Sequence, residues 1–378
     1  MKKCYLPAAI ALLMTSPVVF SQSDPIIVTP TRTAQTVDET LASVTVITRE
    51  EIEEQQASSV QDLLSAVPGI SIVNSGGAGK SSSVFIRGTN SGHVLVLIDG
   101  AKVGSATLGT TPFQHIPVEQ IEYIEIVRGP RSSLYGSEAI GGVIQIFTRK
   151  GGGETTPYFS MGAGSDDTFS TSAGVSGGGE NSWFSIGTSS LQTNGFNSCP
   201  NCSPIDPDDD GYSNKSASLR AGYRFDSGLD LEISLLQSNN ETITDGWSAD
   251  ELESEQRVLG SILRYAPGEN WQISLQTARS NDDSDSFLNG VYSSTFNTER
   301  TTTSLQNDFS IARRHLLTIG IDNQDDEIAS DTTYTETSRN NKSVFIQYQG
   351  KVSTHDLQIA VRKDDNEQFG SENTGSIA

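Results

Sequence analysis

The feature that most constrains this 378-residue chain is a change of periodicity near Lys150. From there on, apolar and polar residues alternate with a period of two, as in residues 229–235 and 271–276. That period is typical of a β-strand with one apolar and one polar face. Many such runs, joined by short turns and long polar loops, favour a membrane barrel with a wet lumen, with a soluble β-protein as the alternative.

The composition agrees with a barrel and excludes one class of partner. Only 35% of the residues are hydrophobic, 35 are glycine and the mean hydropathy is −0.32. A polar lumen accounts for such values in a membrane protein. The formal net charge of −22 would repel phosphate backbones, which argues against a nucleic-acid partner and favours cations.

The N-terminus predicts export. Residues 1–21 combine Lys2 and Lys3 with a short apolar run and a small-residue cleavage site, as in a secretory signal peptide. The run is too short for a spanning helix, and no later stretch approaches the roughly 20 apolar residues that one requires. Cys4 leaves with the signal, so a disulfide between Cys199 and Cys202 is the simplest reading, with zinc or redox chemistry as alternatives.

A compact α+β domain is expected up to about residue 150. Two strand-like runs, 121–127 and 143–147, flank a glycine-rich centre that demands tight turns. Short helices are predicted from Arg49 and Ser58. Further strands are predicted at 70–73, 84–87 and 93–98, the last closing in a turn at Asp99 and Gly100.

The sequence indicates neither a nucleotide-binding site nor an enzyme active site. Residues 74–81 nearly spell a phosphate-binding loop, but Asn74 replaces the first glycine and a strand pattern follows where a helix is required. A glycine-rich apical loop is the better interpretation. The four histidines are scattered and no nucleophile lies beside a base, so we do not expect an enzyme.

An acidic loop predicts a cation site. Residues 206–211 match the opening of a calcium loop, in which alternating carboxylates converge on one hard cation. The twelfth position is Ala217, where an EF-hand has glutamate. Coordination would therefore close with Asp245, Asp250 and Glu251 of the next loop. A solvated acidic loop is the alternative.

Three segments resemble the TonB-dependent outer-membrane receptors, and among these the cobalamin transporters. They are 83–90 (SVFIRGTN), 93–100 (HVLVLIDG) and 127–143. The resemblance covers the chain after the signal peptide, strongly in the first domain and loosely in the strands. It implies a transmembrane antiparallel β-barrel with an N-terminal α+β plug domain: a plug at 34–150 and a barrel part at 151–378.

The resemblance also turns the segment at 22–33 into a partner-binding site. From the residues alone it could be a frayed tail or an added edge strand. By resemblance it contains the TonB box, which the energy-transducing protein TonB takes up as a strand. The predicted box is Asp24, Pro25, Ile26, Ile27, Val28, Thr29 and Pro30.

Ligand and metal residues are carried over by the same resemblance. The implied calcium ligands are Asn197, Asp206, Asp208, Asp210, Thr244, Asp245 and Asp250, with Asn197 standing where the family has aspartate. The implied cobalamin contacts are Ser81, Ser83, Asn90, Leu108 and Gly109. A calcium-ordered pair of loops would preorganise such a ligand site.

The expected function is therefore TonB-dependent uptake of cobalamin across the bacterial outer membrane, without covalent chemistry. A receptor for a ferric siderophore or haem is one alternative. A calcium-binding surface adhesin, or a phage or colicin receptor, is another. About eleven strands follow Lys150, half of a barrel of about 22, and the sequence lacks a terminal aromatic residue; we therefore expect an N-terminal fragment.

Overall fold

The computed structural model describes residues 27–28, 32–33, 35–36, 40–200, 208–246 and 248–378. The predicted signal peptide, most of the predicted TonB box, Cys202 and Asp206 lie outside these residues. In the described part of the chain, no helix is both long enough and apolar enough to cross a membrane.

The first part of the chain is a mixed α+β unit, and we call its residues 40–148 the plug. Two short strands, β1 (Ile27–Val28) and β2 (Gln35–Thr36), precede it and pair with each other. The plug consists of β3 (Ser43–Ile47), α1 (Arg49–Gln55), α2 (Val60–Ser65), β4 (Ile70–Asn74), β5 (Ser82–Ile86), β6 (Val94–Ile98), β7 (Ala101–Val103), β8 (Ile121–Arg128), α3 (Ser132–Tyr135) and β9 (Gly142–Thr148). The predicted strands and both predicted helices are confirmed, within a few residues at their ends.

Five plug strands form one sheet in the order β3-β8-β9-β6-β7. The β6 and β9 strands are parallel, and the other neighbours are antiparallel. The predicted turn after β6 is present, with positive φ at Asp99 (47°) and Gly100 (82°). Buried Asp99 accepts hydrogen bonds from the backbone N–H and the hydroxyl of Thr148, at 3.0 and 2.6 Å. This carboxylate therefore ties the turn to the end of β9.

Beyond the plug, one antiparallel sheet of twelve strands follows the sequence order, and we call it the wall. Its strands are β10 (Thr156–Ala163), β11 (Phe169–Gly178), β12 (Ser182–Thr193), β13 (Tyr212–Arg224), β14 (Leu229–Ile243), β15 (Glu251–Gly268), β16 (Trp271–Leu288), β17 (Val291–Ala312), β18 (His315–Ser330), β19 (Ser338–Val352), β20 (His355–Asn366) and β21 (Gly370–Ile377). Twelve strands is one more than the sequence predicted. Within the described residues β10 and β21 are the edges, so the wall is open and does not close into a barrel.

The buried face of the wall is largely polar and its exposed face is apolar, which is the reverse of a soluble protein. Along β13 the buried side chains are polar, including Asn214, Ser218 and Arg220, and they face the plug. On the opposite face, Ile233, Leu259 and other large apolar residues are exposed. This is the pattern of a strand whose apolar side meets lipid and whose polar side lines a lumen.

The plug packs against the inner face of the wall on both sides of its own sheet. Leu236, Val258 and Ala278 of the wall join one apolar cluster of the plug. Phe345 and Ala360 join the other. Short wall connections, such as 269–270 and 313–314, mark one end of the sheet, and longer ones at 194–211, 244–250 and 331–337 mark the other. We call these three longer connections the outer loops.

Candidate functional site

Two plug loops meet near the predicted ligand residues Asn90, Leu108 and Gly109. A Cβ atom on Gly92 would lie 3.4 Å from the carbonyl oxygen of Leu108 and 3.7 Å from that of Gly109. The Asn90 side chain accepts a hydrogen bond from the N–H of Gly92 at 3.2 Å and so shapes the first loop. The structure therefore brings three of the five predicted contacts together.

The second of these loops is held in a tight turn that presents Leu108 to solvent. The N–H of Gly109 donates to the carbonyl of Ser105 at 3.0 Å, and the N–H of Leu108 donates to the Ser105 hydroxyl at 3.3 Å. Gly109 adopts a φ of 64°, which suits glycine. The Leu108 side chain is 74% exposed. From the wall, Arg339 reaches the carbonyl of Ala106 at 3.4 Å.

The other two predicted contacts, Ser81 and Ser83, lie on a hairpin formed by β4, residues 75–81 and β5, which we call the plug hairpin. The N–H of Ser75 donates to the carbonyl of Ser81 at 3.0 Å and closes it. Ser81 is exposed, and half-buried Ser83 pairs with Val73. Ser82 between them points inward and hydrogen-bonds Gln114 at 3.1 Å.

The glycines of the plug hairpin allow it to approach the outer loop 194–211 and the start of β13. A Cβ atom on Gly79 would lie 2.1 Å from the Tyr212 ring, and one on Gly77 would lie 3.3 Å from Phe196. Gly79 also has a φ of 73°. This close packing explains why the segment that resembles a phosphate-binding loop has a glycine at position 79, because a side chain there would collide with the Tyr212 ring.

Lys80 also takes part in this contact between the plug hairpin and the wall, a role that was not predicted from the sequence. Its Nζ lies 2.6 Å from Oδ1 of Asp210 and 2.5 Å from the carbonyl oxygen of Ile243. Asp210 also accepts hydrogen bonds from the N–H and the hydroxyl of Ser198, at 2.7 and 2.5 Å. Burial raises the pKa of the Asp210 carboxyl, but the bonds from Lys80 and Ser198 outweigh it and hold that pKa below its ordinary value. No local sequence pattern predicts this pair, because Lys80 and Asp210 are 130 positions apart.

Asp206 lies outside the described residues, and the other predicted calcium ligands that the structure describes have partners within the protein. Asn197 accepts a hydrogen bond from the N–H of Cys199 at 3.0 Å, and Asp250 accepts one from the N–H of Asn289 at 2.7 Å. The N–H of Thr244 donates to the carbonyl of Asp250 at 2.8 Å. Asp208 is exposed and Asp245 is half-buried.

The described residues contain no group of three or more His, Cys, Asp or Glu side chains arranged to hold a metal ion. The calcium site stays a prediction. Cys199 is disulfide-bonded. Its predicted pairing with Cys202 stays a prediction too, because Cys202 lies outside the described residues.

The segment that follows the predicted TonB box is anchored to the wall through Arg32. Its guanidinium forms two hydrogen bonds with Asp322 on β18, at 2.9 and 3.0 Å. It also lies over the rings of Tyr135 and Phe345, 4.9 and 4.6 Å from their centroids. Gln306 donates to the carbonyl oxygen of Arg32 at 3.3 Å. This segment therefore bridges the plug and the wall.

A second group of buried charges joins the plug to the wall above this anchor. Glu138 of the plug lies 3.0 Å from Arg300 and 3.7 Å from Lys102. Arg300 also forms an ion pair with Asp326 at 2.7 Å, and Asp326 forms a second one with Arg339 at 2.7 Å. Burial raises the pKa of Glu138, but the two cations outweigh it and keep this carboxyl ionised with a lowered pKa. The chain of charges ends at Arg339, which contacts the Leu108 loop.

A cavity of about 530 Å³ lies between the plug and the wall near the short wall turns. Its lining includes Arg32, Lys102 and Asp322 from the groups just described, together with Gln276 and Trp271 of the wall. Polar and charged side chains face it from both units. The contact between plug and wall is therefore incomplete at this end and leaves room for water.

Comparison with known proteins places these features in a family. Residues 36–143 match the family model described as the TonB-dependent Receptor Plug Domain. The chain is 34% identical over 386 residues to the Vitamin B12 transporter BtuB of Photobacterium profundum. It is 32% identical over 395 residues to the protein of that name from Vibrio cholerae serotype O1. Both alignments include all of this chain.

Solved structures share the fold. The siderophore receptor PirA from Acinetobacter baumannii superimposes with a TM-score of 0.73 at 20% sequence identity, over 90% of this chain and 59% of PirA. A mutant of the ferric enterobactin receptor PfeA from Pseudomonas aeruginosa gives 0.73 at 17% identity, over 90% of this chain and 60% of PfeA.

The chain spans just under two thirds of the length of the curated relatives, 63% for the Photobacterium protein and 64% for the Vibrio cholerae protein. The expected fold and the bacterial outer membrane as the location are confirmed. These findings identify residues 36–143 as a TonB-dependent receptor plug domain and confirm the predicted resemblance of the chain to the TonB-dependent outer-membrane receptors.

Proposed function

We propose that the protein containing this chain is a receptor for TonB-dependent uptake of cobalamin. The observation that carries the proposal is the similarity over the whole chain to proteins named Vitamin B12 transporter, at 34% and 32% identity. The siderophore receptors share the fold at only 17–20% identity, which supports no conclusion about the ligand.

The geometry of the plug loops is compatible with this ligand. Cobalamin presents an apolar macrocycle surrounded by amide side chains. The exposed Leu108 supplies an apolar contact beside Asn90 and the backbone of Gly92 and Gly109. The serines of the plug hairpin offer hydroxyl groups on a neighbouring loop. An apolar anchor with a few polar groups around it is the usual composition of a small-molecule site.

In this proposal TonB is the partner that supplies the energy. It would take up the segment 24–30 as an added strand and pull on it. Among the described residues, Arg32 would pass this pull to the wall, because it holds the following segment to Asp322. Plug displacement would then open a path along the polar inner face of the wall. No covalent step belongs to the cycle.

The test is a binding titration with outer membranes from cells that express the protein and lack another cobalamin receptor. We expect saturable binding of cyanocobalamin, weakened by about tenfold or more in Leu108→Asp, because a charge would replace the apolar anchor. Leu41→Asp is a matched control, since Leu41 is an exposed leucine of the plug and is not among the predicted ligand contacts. Binding of a ferric siderophore or haem instead of cyanocobalamin would overturn the proposal.

Deletion of residues 24–30 distinguishes an uptake receptor from a surface adhesin. We expect uptake of cyanocobalamin to vanish while binding persists, because the deleted segment serves only the energy-transducing partner. Binding without any uptake in the undeleted protein would favour a surface adhesin or a phage or colicin receptor.

A further inference from the structure

The ammonium group of Lys80 lies where three segments of the molecule meet. The plug hairpin contributes Lys80 itself. The outer loop 194–211 contributes Asp210, and the end of β14 contributes the carbonyl of Ile243, which is followed by the outer loop 244–250. The side chains of Lys80 and Asp210 are 7% and 2% exposed. An ammonium buried to this extent requires such partners, because desolvation strongly disfavours an unpaired charge.

The described ends of the outer loop 194–211 are joined through the same carboxylate. Ser198 donates its N–H and its hydroxyl to Asp210 Oδ2, while Lys80 takes Oδ1. The N–H of Ile243 donates to the carbonyl oxygen of Gly211 at 2.9 Å and brings the two outer loops together. Lys80 therefore occupies the position at which a cation can hold both loops to the plug.

A calcium ion does not fit at Asp210 beside Lys80. Both carboxylate oxygens already accept hydrogen bonds from Lys80 or Ser198. A calcium ion bound at about 2.4 Å from either oxygen would lie within a few ångströms of the ammonium and would be repelled by it. Asn197 and Asp250 also direct side-chain oxygens at backbone N–H groups.

We propose that Lys80 is the cation that holds the outer loops 194–211 and 244–250 to the plug hairpin, and that Asp210 is not a calcium ligand in this protein. Lys80 is thus a positioning residue for the ligand-facing hairpin. The proposal rests on the proposed function only for the identity of the ligand, because the contact itself involves none.

This arrangement has a consequence that a bound ion would lack. A calcium ion would stay with the outer loops when the plug moves, whereas Lys80 belongs to the plug and leaves with it. Withdrawal of the plug hairpin would then remove the cation that balances the Asp210 carboxylate. The contact between Ser198, Asp210 and the end of β14 should therefore loosen whenever the plug is displaced, and it should form again when the plug returns.

Hydrogen exchange, followed by mass spectrometry on the full protein in outer membranes, tests the proposal. The probes are the amide of Ser198 in the outer loop 194–211 and the amide of Ile243 at the end of β14, which donate to Asp210 and Gly211. In the wild-type protein we expect their protection to be unchanged by chelator or by added calcium. A loss of protection on chelation would overturn the proposal, because it would show that a metal ion orders the loops.

Three variants complete the experiment. Lys80→Met should lower protection at both amides by about tenfold or more, because it leaves Asp210 buried and unpaired. Lys80→Met combined with Asp210→Asn should recover part of that loss. Lys215→Met is the matched control, since Lys215 is exposed on β13, and it should change nothing.

The amides of β6 report whether the plug itself stays folded in these variants. If Lys80→Met also unfolds the plug, the response of the wild-type protein to calcium and chelator still decides the question. Unchanged protection in a folded Lys80→Met protein would overturn the proposal. No readout depends on cobalamin, so failure of the proposed function would appear separately.

Discussion

The guanidinium of Arg32 and the carboxylate of Asp322 form a two-pronged ion pair, with N–O distances of 2.9 and 3.0 Å. Arg32 lies four residues after Val28, the last described residue of the predicted TonB box, whereas Asp322 lies on wall strand β18. The pair therefore links the segment on which TonB is proposed to pull to the part of the protein that stays in the membrane.

Replacing Arg32 with alanine should release this segment. Breaking a buried ion pair typically costs about 3–5 kcal/mol, and the effect here should fall at the low end, because Arg362 still pairs with Asp322 at 2.7 Å. We expect faster hydrogen exchange at strand β2 (Gln35–Thr36). Arg32→Lys keeps the charge but loses the planar guanidinium that pairs with both carboxylate oxygens. Its exchange rate at β2 should therefore lie between those of the wild type and Arg32→Ala. Identical exchange in Arg32→Ala and the wild type would contradict the prediction.

Replacing Glu138 with glutamine should destabilise the contact between plug and wall. Glu138 balances Arg300 and Lys102 inside the protein, and its loss would leave Lys102 without its nearest anion. We expect the free energy of unfolding in urea to fall by about 3 kcal/mol. Glu154→Gln, at an exposed position, is the control and should have no effect. An unchanged unfolding midpoint in Glu138→Gln would show that the pair contributes nothing.

The stability of the plug should depend on pH through His115. Burial lowers the pKa of this imidazole from 6.5 to about 4. The unfolded chain therefore takes up a proton below about pH 6.5, whereas the folded protein does so only near pH 4. The contribution of His115 to the free energy of unfolding should be constant above pH 6.5. It should fall by up to about 3 kcal/mol as the pH drops to 4. Urea unfolding at several pH values measures this loss.

The variant His115→Gln provides the control for the pH effect. Glutamine can replace the bond between Nδ1 of His115 and the Tyr212 hydroxyl, 3.2 Å long, but it does not titrate. The slope of stability against pH between 6.5 and 4 should be shallower in this variant. An equal slope in both proteins would assign the pH dependence to other groups.

Replacing Gly79 with alanine should push the plug hairpin away from the wall. The new methyl group would lie 2.1 Å from the Tyr212 ring, and Gly79 also has a φ of 73°. Gly88→Ala is a matched control, because Gly88 has a φ of 76° with nothing within 4 Å of its Cβ position. Both variants should lose about 1 kcal/mol to backbone strain. Only Gly79→Ala should also raise exchange at the Ser75 amide; equal exchange there in both variants would argue against the clash.

Several features of this protein follow from the sequence alone. The alternation beyond Lys150 predicted nearly the correct number of strands and a wall with one apolar face. The turn at Asp99 and Gly100 was predicted from the Asp-Gly pair that follows a strand. Such features depend on residues close together in the chain, so a local pattern is sufficient to specify them.

Other features were decided only by the tertiary structure. Lys80 and Asp210 are separated by 130 positions, and Arg32 and Asp322 by 290. Nothing in the local pattern indicates that the lysine of a glycine-rich loop would take a carboxylate expected to bind calcium. The same oxygen can serve a metal ion or an ammonium, and the choice depends on which group the fold places beside it.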